Sequence, residues 1–278
     1  MKNFLTRVIS GAVYVGIICC AIFFFDTIPA IYLVCFSLFT LLAVREIQHL
    51  TNSVTTSSKL LYGIDMAGAL GTFLAFFFCG KYGRMDLCYL PVLVYTLIRF
   101  TIQLYIRSIN PVHSQQGSVF NLLYVAIPLS VMSQICFRSN PMMLLSVFIF
   151  LWINDSGAYL VGVTIGKHRL FERISPKKSW EGFWGGLVLT VAAGYAMGAW
   201  LNDFFHGPSP LLFAGLGLVV SVAGTLGDLT ESLIKRIADV KDSSQLIPGH
   251  GGILDRIDSL LFAAPAAIIY LFVVNFFS

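Results

Sequence analysis

The stretch VKDSSQLIPGHGGILDRIDS, residues 240–259, sets Lys241, Asp242, His250, Asp255, Arg256 and Asp258 around a glycine-rich turn. Pro248-Gly249 is a turn signal, and Gly251-Gly252 lets backbone N–H groups approach an anion closely. An ordinary tight turn is the plainer reading of the same glycines. Asp255 and Asp258 lie one helical turn apart, so a helix beginning there places both on one face. Just upstream runs GTLGDLTESLIKRIADVKD, Gly224 to Asp242. As a helix it carries Asp228, Glu231 or Ser232, Lys235 and Asp239 along one face, with Arg236 beside them. Asp228 closes an apolar run, and a charge at membrane depth costs roughly 2.5–3.5 kcal/mol on insertion scales. Pairing within the helix, with Ser232 or Lys235, is one way to offset that cost; a functional site is the other. Asp228 and Asp255 are candidates to meet where their helices pack. Two carboxylates alone repel. Magnesium removes the conflict, because it takes one or two carboxylates together with substrate phosphate oxygens.

A third cluster begins at INDSGAY, Ile153–Tyr159, where Asn154 and Asp155 interrupt an apolar run. The run continues with Gly157, Gly162 and Gly166, which permit close helix packing. Lys167, Lys177, Lys178 and Glu181 follow. The lysine pair reads either as loop charge that sets membrane orientation or as two ammonium groups holding phosphates at the membrane interface.

The elements that must position these groups are membrane helices. The chain has 278 residues, 57% hydrophobic and 12% charged, with mean hydropathy +0.81. Soluble domains carry about 25% charged residues. A spanning helix needs about 20 mostly apolar residues, and nine such runs lie near 7–25, 28–48, 60–79, 86–106, 118–136, 142–165, 181–201, 210–233 and 257–277. The expected fold is all-α, a polytopic integral membrane protein with about nine transmembrane helices. It is read as one membrane domain: 1–150 apolar, 151–278 bearing the chemistry and the loops. The first run is expected to be a retained anchor.

The net charge of +4 is concentrated in short loops, a topology pattern rather than a nucleic-acid surface. Lys2, Arg7, Arg45, Lys59, Arg107, Lys167, Arg169, Arg173, Lys177, Lys178, Lys235, Arg236, Lys241 and Arg256 fall on one side of a nine-span arrangement. Lys81, Arg84 and Arg138 fall on the other. That bias places the N-terminus and the polar loops in the cytoplasm, and a bacterial inner membrane is the expected location. The six cysteines form no CxxC pair, so neither a zinc nor a redox motif is indicated. P-loop, HExxH and GxSxG motifs are missing from the sequence.

The segment SLIKRIADVKDSSQLIPGHGGILDRID, Ser232–Asp258, resembles the signature of the phosphatidate cytidylyltransferases, or CDP-diacylglycerol synthases. The pattern is S-x-x-K-R, then K-D, P-G-H-G-G and D-R-x-D. GDL at Gly227–Leu229, NDSGAY at Asn154–Tyr159 and SPKKSWEG at Ser175–Gly182 resemble the other blocks. Ala238-Asp239 is a mild departure. The resemblance covers roughly residues 150–265.

It implies that CTP and phosphatidate react, with Mg²⁺ required, to give CDP-diacylglycerol and pyrophosphate in phospholipid synthesis. On this reading Asp228 and Asp255 hold the metal, and Asp258 supports or adds to them. Gly251 and Gly252 offer backbone donors to phosphate. Lys235, Arg236, Lys241 and Arg256 neutralise phosphates. Lys177 and Lys178 hold phosphates of either reactant. Asn154 and Asp155 position nucleotide or metal. Lys167, Glu181, Ser232, Asp242 and His250 complete the expected substrate contacts. A second cation and a homodimer stay open. A secondary transporter with intramembrane carboxylates is the alternative.

Overall fold

A computed structural model describes residues 2–52, 58–106, 110–205, 209–247, 249 and 251–277. The order is α1 (Lys2–Phe23), α2 (Pro29–Asn52), α3 (Lys59–Lys81), a 3₁₀ turn (Met85–Leu87), α4 (Leu90–Tyr105) and α5 (Pro111–Asn121). A π turn (Leu122–Ala126) leads into α6 (Ile127–Arg138), then α7 (Pro141–Ile165), strands β1 (Arg169–Phe171) and β2 (Ser175–Ser179), and α8 (Trp180–Trp200). A short α9 (Asn202–Phe205), α10 (Pro210–Ile237) and α11 (Leu254–Phe277) complete it.

Among the described residues, eight helical segments are long and apolar enough to cross a membrane, and Val8–Phe23 is a shorter apolar helix. These coincide with the nine apolar runs, and the protein is an all-α polytopic membrane protein. Local chemistry sets several boundaries. Asn140 caps α7 by accepting from the Met143 N–H at 2.8 Å, and Pro141 occupies the first turn, where a missing N–H costs nothing. Ser179 caps α8 through the Gly182 N–H. Asn110 and Pro111 start the fifth span earlier than its apolar pattern indicates, because the first turn of that helix is polar.

Two features depart from the sequence reading. The loop after α7 contains an antiparallel hairpin, with Arg169 opposite Ser179 and Phe171 opposite Ser175. And α10 ends at Ile237, so Asp239 does not continue the face begun by Asp228. Its φ of 54° is left-handed, a conformation that ends a right-handed helix and that aspartate tolerates better than most residues.

The chain divides into two compact units. The first comprises Met1–Phe137 with Ile237–Ile257. Phe25, Tyr32, Phe77 and Phe137 pack edge-to-face and stacked within it, with Phe36 tilted against Tyr32. It also buries an ion pair: Arg99 Nε lies 2.9 Å from Asp65 Oδ1, at 2% and 7% side-chain exposure. Gln103 Oε1 and Ser114 Oγ accept further guanidinium N–H bonds, Ser118 Oγ shares the Nε–H with Asp65, and the Tyr95 and Ser118 hydroxyls donate to Asp65. A buried pair survives only with its remaining donors and acceptors satisfied, and the small polar groups of α4 and α5 do that here.

The second unit comprises Arg138–Arg236 with Asp258–Ser278. Its centre is the tight α7–α8 pair. A Cβ on Gly186 would come within 2.7 Å of the Asn154 carbonyl oxygen, so only glycine allows this approach.

Candidate functional site

The second unit holds a cavity of about 610 Å³ lined by α7, the hairpin, the start of α8 and α10. Its polar wall includes Asn154, Asp155, Lys177, Lys178, Thr225 and Asp228. Tyr159, Val163 and Phe183 contribute apolar surface. Asn154 is buried and ties α7 to α10: the Ser221 hydroxyl donates to Asn154 Oδ1 at 2.6 Å, and Asn154 Nδ2 donates to Thr225 Oγ1 at 3.4 Å. With Asn154 locked inward, Asp155 is turned about 100° around the helix, and it is exposed.

Asp228 sits between two donors. Lys178 Nζ lies 2.5 Å from Asp228 Oδ2, and the Ser232 hydroxyl donates to Asp228 Oδ1 at 3.2 Å. The intrahelical Asp228–Ser232 pairing therefore exists, but the cation that meets Asp228 comes from the hairpin. Lys235 instead pairs with Glu231, which is fully buried. Asp228, Asp155 and Lys235 all lie within electrostatic reach of Asp258. The Ser259 N–H donates to Asp258 Oδ1 at 2.7 Å. α11 runs close against α10 here, since a Cβ on Gly227 would sit 2.6 Å from the Asp258 carbonyl oxygen. Arg236 Nε donates to the Ile174 carbonyl at 3.3 Å and so links α10 to the hairpin.

Glu181 closes the base of that hairpin. Its carboxylate accepts from the backbone N–H groups of Lys167 and His168 and lies 2.6 Å from His168 Nδ1. Neither Glu181 nor Lys167 lines the cavity, whereas Lys177, Lys178, Asn154 and Asp155 do.

The remaining expected residues belong to the first unit. Lys241, Asp242 and Arg256 are exposed. Asp255 Oδ2 accepts from the Ser243 N–H at 2.9 Å and the Gly252 N–H at 2.8 Å, and it lies 2.9 Å from the Ser243 hydroxyl. The Gly252 donor expected to face a phosphate is thus engaged by Asp255. Gly251 has φ 79°, which glycine adopts at little cost. His250 and Pro248 lie outside the described residues. Asp228 falls in the second unit and Asp255 in the first. Among the described residues, no group of three or more His, Cys, Asp or Glu side chains is arranged to hold a metal ion.

One residue of this region escaped the sequence reading. Glu46, on α2, is 5% exposed; it accepts from the Ser244 hydroxyl and from the Ile253 and Leu254 N–H groups, and it lies 2.9 Å from the Ser243 hydroxyl. A lone carboxylate inside an apolar run was the available signal. It is the same signal that singled out Asp228, and it applies to Asp65 as well.

The model of the family described as "Cytidylyltransferase family" matches residues 5–274. A phosphatidate cytidylyltransferase of Haemophilus influenzae is 48% identical over 124 residues, 44% of this chain and 43% of that protein. One of Bacillus subtilis is 49% identical over 120 residues, 42% of each chain. One of Synechocystis is 45% identical over 138 residues, 50% of this chain and 45% of that protein. The chain thus matches less than half the length of each of these relatives.

Proposed function

The chain belongs to the cytidylyltransferase family, and from that premise we propose that it transfers a cytidylyl group from CTP to phosphatidate, yielding CDP-diacylglycerol and pyrophosphate. The observation that carries the reading is the cavity of the second unit, in which Lys177, Lys178, Asp155 and Asp228 share a wall within a bundle of apolar helices. The names of the relatives specify the same reaction. The transporter alternative finds no support in the family or in these relatives.

In this reaction a phosphate oxygen of phosphatidate attacks the α-phosphorus of CTP. The bond from the α-phosphorus to the bridging oxygen of the β-phosphate breaks, and pyrophosphate leaves with that oxygen. The nucleophile is already an anion, so no strong base is needed. The protein's work is to bring two anions together and to stabilise charge as it spreads. Lys177 and Lys178 take phosphate oxygens, and Lys178 exchanges Asp228 for one of them. Asn154 fixes α7 so that Asp155 stays at the cavity.

Magnesium suits the residues present. Asp228 and Asp258 offer hard carboxylate oxygens in one neighbourhood. Magnesium is commonly held by one or two carboxylates plus phosphates rather than by an all-protein cage. In the second unit Asp228 and Asp258 would hold it, and in the first unit Asp255 is by itself a candidate ligand for a divalent cation. The ion would neutralise triphosphate oxygens and the departing pyrophosphate. The loops rich in Lys and Arg support a cytoplasmic site, and the bacterial relatives support a bacterial inner membrane.

The test is incubation of the purified chain with labelled CTP, phosphatidate and Mg²⁺. CDP-lipid and pyrophosphate are expected in equal amounts. Asp228→Ala, in protein that remains folded, is expected to lower turnover on the order of 10²–10³-fold. Near-normal turnover with unchanged Mg²⁺ dependence removes Asp228 from the site.

A further inference from the structure

The N-terminal helices supply a group to the glycine-rich loop, and its placement is specific. Glu46 reaches from α2 to the start of α11, where its two oxygens take the Ile253 N–H at 3.1 Å and the Leu254 N–H at 2.8 Å. A negative charge is favoured at that end of a helix, where backbone N–H groups lack partners within the helix. The same carboxylate takes the Ser244 hydroxyl at 2.7 Å and lies 2.9 Å from the Ser243 hydroxyl. Ser243 Oγ also lies 2.9 Å from Asp255 Oδ2. Ser243 therefore joins Glu46 to Asp255: its hydroxyl lies between the two carboxylates and gives its one hydrogen to either, while its N–H donates to Asp255. Gly252 leaves room for the joint: a Cβ there would come within 2.1 Å of Ser243 Oγ and 2.3 Å of Glu46 Oε2. All these groups belong to one compact unit.

We infer that Glu46 is a positioning residue for the reaction: it holds Ser243 and the first turn of α11 so that the Asp255 carboxylate keeps one orientation. This rests on the function proposed above and deepens it, because the oriented group is one assigned to Mg²⁺. A carboxylate serves where an amide does not. Glu46 accepts at both oxygens and has no hydrogen to turn toward the Ile253 or Leu254 N–H. Glutamine has one acceptor oxygen and an NH₂ group that must face one of those donors.

The experiment uses the full chain in detergent or nanodiscs, with Glu46→Gln, Ser243→Ala and Ser244→Ala. Initial rates give kcat and KM for CTP. Mn²⁺ binding followed by electron paramagnetic resonance and the melting temperature are read independently of turnover. Glu46→Gln is expected to lower kcat about 10–100-fold, as for loss of one positioned group. Mn²⁺ binding should weaken, while KM for CTP changes less than kcat. Ser243→Ala, which removes the shared hydroxyl, should follow the same pattern. Ser244→Ala, which removes a bond to Glu46 and the acceptor of the Leu246 N–H but nothing that touches Asp255, should fall well short of it. If Glu46→Gln does not fold, Ser243→Ala decides. Folded Glu46→Gln or Ser243→Ala protein with kcat and Mn²⁺ binding within twofold of the unsubstituted chain overturns the inference, even if the melting temperature falls. Absence of CDP-lipid from the unsubstituted chain overturns the proposed function itself, and this inference with it.

Discussion

On the function proposed above, Lys178 and a divalent cation would compete for Asp228, and Lys178→Met should then have effects of opposite sign on metal affinity and on turnover. The ammonium sits 2.5 Å from the carboxylate, with 29% and 30% of the two side chains exposed. Unit charges about 4 Å apart attract by about 4 kcal/mol at an effective dielectric of about 20. Exposure of nearly a third of each group reduces this to about 1–2 kcal/mol. Removing the ammonium releases Asp228 from that pairing, so the apparent Mg²⁺ affinity should tighten by about 5–30-fold, at 1.4 kcal/mol per tenfold. Turnover should move the other way, by about 10²-fold, because a cation aimed at developing phosphate charge is lost. Methionine keeps the length and the apolar stem, so packing is little disturbed. The assay is a Mg²⁺ titration of initial rates at saturating CTP and phosphatidate, repeated with a direct Mn²⁺-binding measurement. Unchanged or weaker metal affinity in folded Lys178→Met protein refutes the competition. Tighter affinity with undiminished turnover refutes the catalytic half.

Two further predictions concern what holds the site and the bundle. Arg99→Ala leaves Asp65 buried without its cation and should destabilise the protein by about 3–5 kcal/mol, seen as a lower melting temperature in detergent; Arg99→Met combined with Asp65→Leu should recover most of it. Glu181→Ala releases the Lys167 and His168 N–H groups at the base of the hairpin. It should raise KM several-fold with little change in kcat, since Lys177 and Lys178 lose their fixed support; a fall in kcat at constant KM would place Glu181 in the chemistry instead.

The membrane bundle was legible because its signal is local. Runs of about 20 apolar residues admit few other solutions, and capping residues such as Asn140 and Ser179 mark helix starts within the sequence itself. The residues around the cavity were legible for a related reason. Asn154, Asp155 and Asp228 are polar groups in apolar runs, and Lys177-Lys178 lies in a compact motif. Asp239 misled because a three- and four-residue spacing continued past the point where the helix stops. The hairpin escaped because its strands are only three and five residues long, too short for a periodicity to stand out.

By itself, then, the amino-acid order determined an all-α membrane protein, the polar residue types that line the cavity of the second unit and the stretch of chain that bears them. Hydrophobicity and short motifs act along the chain, so no partner from elsewhere is needed to read them. Only the tertiary structure decided which charges meet: Lys178 with Asp228, Arg99 with Asp65, and Glu46 with the turn before α11. Those partners are 50, 34 and 208 residues apart. A charge in an apolar bundle must find a counter-group, but which one it finds depends on how helices distant in sequence pack together.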